Sequence, residues 1–226
     1  ARGMAKKLGL NQSHYECGSH TPHDKGTREK AIKLNTKFTP FHNNCSGKHS
    51  GMLSLAIKLQ TNITGYIKMD HPVQKEIFKQ LTKLTGLKHF PKGIDGCSAP
   101  TPFLSLQNIA GLFQKLGSEK YPELTEAYNA MVKHPYLVGG KDRFDTEFNS
   151  ALKGRGICKA GGEAIRGLVL KTEKHGLTGI AIKILDGNQR AIEVTTMAIL
   201  NYLNLLHEDE YIKLLKYETR PLYNHR

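Results

Sequence analysis

Apolar residues recur at three-to-four spacing through most of the chain, the period of helices that bury one face. From a start near Ser46, Met52, Leu53, Ala56, Ile57 and Leu59 form such a face. Asp70 as N-cap and Pro72 in the first turn open a second helix. It would bury Val73, Ile77, Leu81 and Leu84, and Gly86 would stop it. Further helices are predicted over 104–117 and 122–133, the latter with Leu124, Ala127, Tyr128 and Met131 on one face. Residues 1–10 read as the tail of a helix ending at Gly9. Residues 11–44, rich in His, Asn, Thr and Gly, read as mostly loop, and a loop that long is often functional.

From Ile157 the pattern changes. Residues 167–172 and 177–185 are β-rich and joined by 173–176, which predicts an antiparallel hairpin. Asp186-Gly187-Asn188 is a turn signal. A long apolar helix over 190–206 and a short one over 209–215 follow. The expected fold class is α+β, helices packed on a small antiparallel sheet. No linker divides the chain, so one domain over 1–226 is expected.

Composition narrows the function classes. No stretch approaches the roughly 18 consecutive apolar residues of a membrane helix, and the N-terminus has no signal-peptide pattern. The chain opens on Ala1 rather than Met, directly in a helical pattern, which suggests a protein that starts further upstream. The four cysteines, Cys17, Cys45, Cys97 and Cys158, lack zinc-finger spacing. So few in a chain this long fit free thiols in a reducing, cytoplasmic compartment. The formal net charge is +13. Its lysines are spread along the chain without a dense basic run, so the charge reads as a solvated surface rather than a nucleic-acid footprint.

Three polar stretches carry candidate chemistry. The run from His42 to Gly51 passes from loop to helix start, where free amides and the helix dipole favour negative charge. Cys45 there would have a lowered pKa, with Lys48 one turn along the same face and His49 beside it. Equally, Cys45 is a small buried cap residue and Lys48 a surface residue. A phosphate-binding loop is excluded: His42 stands in place of its first Gly, and His49 in place of its Ser or Thr. In the run from Gly93 to Pro100, Asp95 and Cys97 are flanked by glycines that allow close backbone approach to a ligand; the alternative is an ordinary Asx turn. Cys158-Lys159-Ala160-Gly161-Gly162-Glu163 is like the Lys-Thr-Gly element of penicillin-recognising enzymes with Ala for Thr, or simply a Gly-rich lead into a strand.

Together these stretches resemble the asparaginase II family, the rhizobial-type L-asparaginases. The match rests on 16–20, 43–53, 93–102, 139–145 and 159–163, in the family's order. The resemblance implies hydrolysis of the L-asparagine side-chain amide to aspartate and ammonia. It also implies a fold similar to serine β-lactamases and penicillin-binding-type glutaminases, and a homodimer. It implies a zinc ion held by Cys45, Lys48 and Cys97, with Asp95 beside the metal and Lys159 pairing with a catalytic Ser; His49 joins Asp95 as a candidate for substrate binding or ligand support. The family's two Ser partners, one in a Ser-x-x-Lys arrangement, precede the stretch matched by Ala1, and its tail continues past Arg226. The N-terminal part of the family fold is therefore expected to be missing from 1–226. Two rival readings remain: a zinc-free serine or cysteine amidase with Cys45 as nucleophile, and a non-catalytic basic binding module.

Overall fold

Several helix starts in this chain are fixed by one side chain that accepts an otherwise unpaired backbone amide, as at Asp24, His71 and Ser105. The computed structural model describes residues 1–221 and 223; the end of the matched stretch, Arg226, lies outside them. The chain divides into two compact units, Ala1–Leu104 and Ser105–Arg226, and each is described by itself.

The first unit opens with α1 (Arg2–Lys7). Residues 11–44 are less irregular than the sequence suggests. Helix α2 (Lys25–Lys33) starts at Asp24, whose carboxylate accepts the Thr27 amide at 2.7 Å. It buries no side chain, so it has no apolar period to read. Helix α3 (Ser46–Lys58) buries His49, Ser50, Met52, Leu53 and Ala56. Ile57 and Leu59, expected on that face, lie off the buried stripe and stay 41% exposed. Helix α4 (Pro72–Thr85) has Pro72 in its first turn and a left-handed Gly86 at its end, as expected, but its N-cap is His71, not Asp70. His71 Nδ1 accepts the Val73 amide and Nε2 donates to the Asn62 carbonyl. Val73 and Phe78 are buried, whereas Ile77, Leu81 and Leu84 are only partly covered.

A two-stranded hairpin closes the unit. Strand β1 (Lys92–Ile94) pairs antiparallel with β2 (Pro100–Pro102). Two prolines fit in β2 because bonded and non-bonded pairs alternate along an antiparallel ladder. The bonds from Phe103 N–H to Pro91 O and from Asp95 N–H to Ala99 O fix that alternation. They leave Pro100 and Pro102 where no donor is needed.

The second unit is built on a three-stranded antiparallel sheet in the order β3 (Gly156–Gly161), β4 (Ile165–Thr172), β5 (Gly176–Lys183). The β4–β5 hairpin is the expected one; β3 was not anticipated. Central β4 is covered on both faces. One face carries Leu168 and Leu170, which join the core formed with α8 (Phe144–Ala151), α9 (Ile192–Tyr202) and α10 (Glu208–Leu214). The other takes α5 (Leu106–Leu116) so closely that only glycine fits beneath it. A methyl group on Gly179 would sit 2.2 Å from the Ala110 carbonyl oxygen, and one on Gly167 would enter the Phe113 ring. Helices α6 (Pro122–Lys133) and α7 (Pro135–Gly139) complete the unit. Of the face expected on α6, Ala127 is exposed. The apolar run expected over 190–206 is helical only within α9; Asn204, left-handed at φ 53°, turns the chain out of it.

The α+β arrangement is thus as expected. Among the described residues, no helix is long and apolar enough to cross a membrane. Because Gly179 meets backbone rather than a movable side chain, Gly179→Ala should destabilise the protein by about 1–3 kcal/mol. A urea midpoint unchanged from wild type would show that α5 does not need this close approach.

Candidate functional site

In the first unit the site is built around the start of α3. Asn43, two residues before the N-cap Cys45, is buried. Its amide nitrogen donates to the carbonyls of Cys17 (2.7 Å) and Gly18 (3.3 Å), and its oxygen accepts the Cys45 amide (2.8 Å). One side chain thereby ties the 17–18 segment to the helix start. Tyr15 adds a second tie: its hydroxyl is 2.8 Å from Ser50 Oγ.

The tight turn between β1 and β2 presents Asp95 and Cys97 to the same place. Ser98, left-handed at φ 68°, lets residues 95–99 close on themselves. The Asp95 carboxylate accepts the Gly96 amide at 2.8 Å, the Lys48 ammonium at 2.9 Å and the Cys97 thiol at 3.5 Å. The sulfurs of Cys45 and Cys97 and a carboxylate oxygen of Asp95 all lie within 4.8 Å of one another. Cys45, Lys48, Asp95 and Cys97, four residues singled out from the sequence, are therefore together.

Electrostatics corrects one expectation. Cys45 does stand at a helix start, yet burial outweighs the pull of Lys48, and its thiol is pushed up to about 11. Burial also pushes Cys17 up. For Lys48, burial opposes the charge, but the bonds to Asp95 and Cys97 more than offset it and the amine is held above its ordinary value. Burial likewise opposes the Asp95 charge, and Lys48 outweighs it, so the carboxyl lies below the usual range. Without a bound cation the arrangement is the protonated Cys45 thiol and the Cys97 sulfur beside a Lys–Asp ion pair. A thiol near 11 is a poor source of thiolate at neutral pH, which weighs against Cys45 as a free nucleophile.

His49 lies one residue further into α3 and is fully buried. Its Nδ1 is 2.6 Å from the Tyr66 hydroxyl, which also accepts the Glu16 amide at 2.9 Å. The Tyr66 proton is best used toward Nδ1, which leaves the histidine hydrogen on Nε2. That nitrogen is buried without a protein partner. Burial and the neighbouring Lys48 charge push the imidazole down to about 4, so it is neutral at pH 7.

Lys159 belongs to the second unit, on edge strand β3, with its ammonium 3.7 Å from buried Asp145 and 2.6 Å from the Ala160 carbonyl. Around Asp145 stand Arg166, at 3.3 Å, and the thiol of Cys158, at 3.5 Å. Cys158 is fully buried, and its pKa is raised well above the ordinary thiol value by that burial and by the Asp145 charge.

The L-asparaginase II family model matches residues 1–226, the whole chain. The chain belongs to the L-asparaginase II family. No curated protein matches it. Membership places this asparaginase-family chain among amide-hydrolysing proteins, in accord with the resemblance carried by residues 43–53 and 93–102.

Sequence reasoning missed several residues. Cys17 shares the apolar cluster of Cys97 and feels the Lys48 charge; its place in the 16–20 stretch was the available signal. Asn43 could have been found as an Asn two residues before a helix start. Tyr66 and Arg166 gave no local signal, because their partners are remote in sequence.

Two predictions follow from these contacts. Tyr66→Phe leaves His49 Nδ1 and the Glu16 amide without their partner, and should cost about 1–3 kcal/mol in denaturant unfolding. Cys158 keeps its proton in the folded state above pH 9, where an unfolded thiol loses it. The folded state then binds more protons, so stability falls as pH rises past 9, by up to about 1.4 kcal/mol per pH unit. In Cys158→Ala that component should vanish; identical alkaline slopes in the two proteins would contradict it.

Proposed function

We propose that this protein hydrolyses the side-chain amide of L-asparagine, with zinc held at Cys45, Lys48 and Cys97 and with Lys159 as the proton-moving partner of a serine nucleophile. The observation that carries this reading is the convergence of Cys45, Lys48, Asp95 and Cys97 in a chain matched end to end by the L-asparaginase II family.

The donor set fits a zinc ion. Two thiols with nitrogen or oxygen donors suit this borderline-soft cation. Burial holds the Cys45 thiol protonated, a state that a divalent cation would reverse. Asp95 is the third oxygen or sulfur donor in reach; Lys48, now an ammonium held by Asp95, would have to shed a proton to ligate. When bound, zinc would supply Lewis-acid polarisation of a substrate oxygen.

The chain's own groups perform the rest. In acyl transfer a serine oxygen bonds to the amide carbon, the C–N bond breaks, and the nitrogen leaves as ammonia once protonated. Water then donates its hydroxyl to the acyl carbon and frees the serine. Lys159, as the ammonium, would lower the serine pKa by its charge and give a proton to the leaving nitrogen, and the neutral amine so formed would take the serine proton. Asp95 holds the Lys48 charge at the thiol pair, and His49, kept neutral by burial, adds no second positive charge there. We assign no serine of residues 1–226 the nucleophile's role. The homodimer implied by the resemblance is part of this reading.

The test pairs elemental mass spectrometry with ammonia release from L-asparagine, for wild type and Cys97→Ala. One zinc per chain in wild type, absent from the mutant, together with asparagine turnover lost in the mutant, is the expected result. Metal-free wild type that still turns over, and is inactivated by iodoacetamide, would replace zinc by a thiol or serine mechanism. No ammonia release from asparagine, with or without added zinc, would remove the reading.

A further inference from the structure

The free edge of β3 is covered by α8, and the manner of covering is uneven. Two side chains one helical turn apart, Asp145 and Asn149, take the outward amides of the strand. Asn149 accepts the Cys158 amide at 2.7 Å and returns a bond to the Cys158 carbonyl at 3.3 Å. Asp145 accepts the Ala160 amide at 2.7 Å. Satisfying an edge amide therefore requires only a neutral oxygen, as Asn149 demonstrates on the same helix and strand. A carboxylate at 145 brings a charge into a setting where its side chain is 4% exposed, at a desolvation cost that a neutral residue would avoid.

That charge is stabilised on one side and directed on the other. Arg166, itself 3% exposed, lies 3.3 Å from Asp145 Oδ1. Its guanidinium stacks on the Phe144 ring at 4.1 Å and donates to Thr196 Oγ1 at 3.0 Å, while its Nε has no partner. Such a side chain is locked in place and only partly bonded, as suits a group kept for its charge. The other carboxylate oxygen, Oδ2, carries the Ala160 amide and faces the Lys159 ammonium. Lys159, 48% exposed, is thus bracketed by Asp145 Oδ2 and the Ala160 carbonyl, on a strand edge that Asp145 itself fixes.

We infer that Asp145, backed by Arg166, is a positioning residue that holds the Lys159 ammonium on the edge of β3. The inference rests on the proposed role of Lys159 in proton transfer. Asp145→Asn is the informative change, since its amide oxygen can still accept the Ala160 amide and only the charge is lost. Should that variant fail to fold because Arg166 is left unpaired, Asp145→Asn combined with Arg166→Met removes both charges and is read in its place.

The first readout is the NMR order parameter of the lysine ammonium groups in the full chain, with exposed Lys174 as reference. In wild type Lys159 should be distinctly more ordered than Lys174; in the variant it should become as mobile. The second is the kinetics of asparagine hydrolysis, with Lys159→Ala as control. Loss of positioning should lower kcat roughly tenfold to a hundredfold, with KM within about twofold, at matched thermal stability. Asp145→Glu, which restores a carboxylate, should recover part of both. Equal mobility of Lys159 and Lys174 in wild type, or order unchanged on loss of the Asp145 charge, overturns the inference. So does lost order with unchanged kcat. If Lys159→Ala itself leaves kcat untouched, the proton-transfer reading fails instead, and the order parameters alone then decide whether Asp145 holds Lys159.

Discussion

The buried carboxamide of Asn43 is the contact on which the first unit's site depends. Its three hydrogen bonds join the backbone at Cys17 and Gly18 to the backbone at Cys45. No other side chain type supplies two donors and an acceptor in so short a reach. Asn43 and the Cys17 carbonyl it serves are buried, so removing the carboxamide would strand a polar atom out of reach of water and release the helix start. Because of this tie, Cys17, Cys45 and Cys97 share one apolar cluster although they are far apart in sequence. The same burial explains why the chemistry of Cys45 differs from what a helix N-terminus alone would give. A dipole worth a fraction of a charge lowers a thiol pKa only where water or a cation can also stabilise the thiolate. Inside this cluster, desolvation is the larger effect.

How much of this could be read in advance depends on whether the information is local. The start of α3, the stop at Gly86, the turn before Cys97 and the β4–β5 hairpin all follow from residues within a few positions of each other. Helix α2 escaped because it buries nothing, and the apolar period is a record of burial. The shift of an N-cap from Asp70 to His71 reflects a bond from His71 to the Asn62 carbonyl, which no local rule contains. Strand β3 escaped because its edge is satisfied by α8 rather than by a fourth strand, so a Gly-rich segment gained a sheet position through side chains 9 to 15 residues away.

The candidate site divides along the same line. Cys45 and Lys48 are one helical turn apart, and Asp95 and Cys97 share one turn, so each pair is visible locally. That the pairs meet is a tertiary fact, and family resemblance supplied it where spacing could not. Asp145 lay inside a matched stretch without any role attached. Its partners Lys159 and Arg166 are brought to it only by the pairing of β3 with β4 and the docking of α8 on the sheet edge.

The two lysine sites share one chemical plan in different dielectric settings. In each, an Asp carboxylate accepts a backbone amide and a cysteine thiol at 3.5 Å and forms an ion pair with a lysine ammonium: Gly96, Cys97 and Lys48 at Asp95, and Ala160, Cys158 and Lys159 at Asp145. The Asp95 side chain is 43% exposed, so water screens its charge and the lysine bond is short and direct. The Asp145 side chain is nearly sealed, and there a second cation, Arg166, is present. Water screens the carboxylate at one site, and a guanidinium faces it at the other. The difference has a consequence for exchange of partners. A solvated carboxylate can release its lysine to another ligand at little cost, whereas a sealed one held against a fixed guanidinium keeps its place. On the function proposed above, the exposed version suits a lysine that would change state when a cation arrives, and the sealed version a lysine that would hold one position at every turnover.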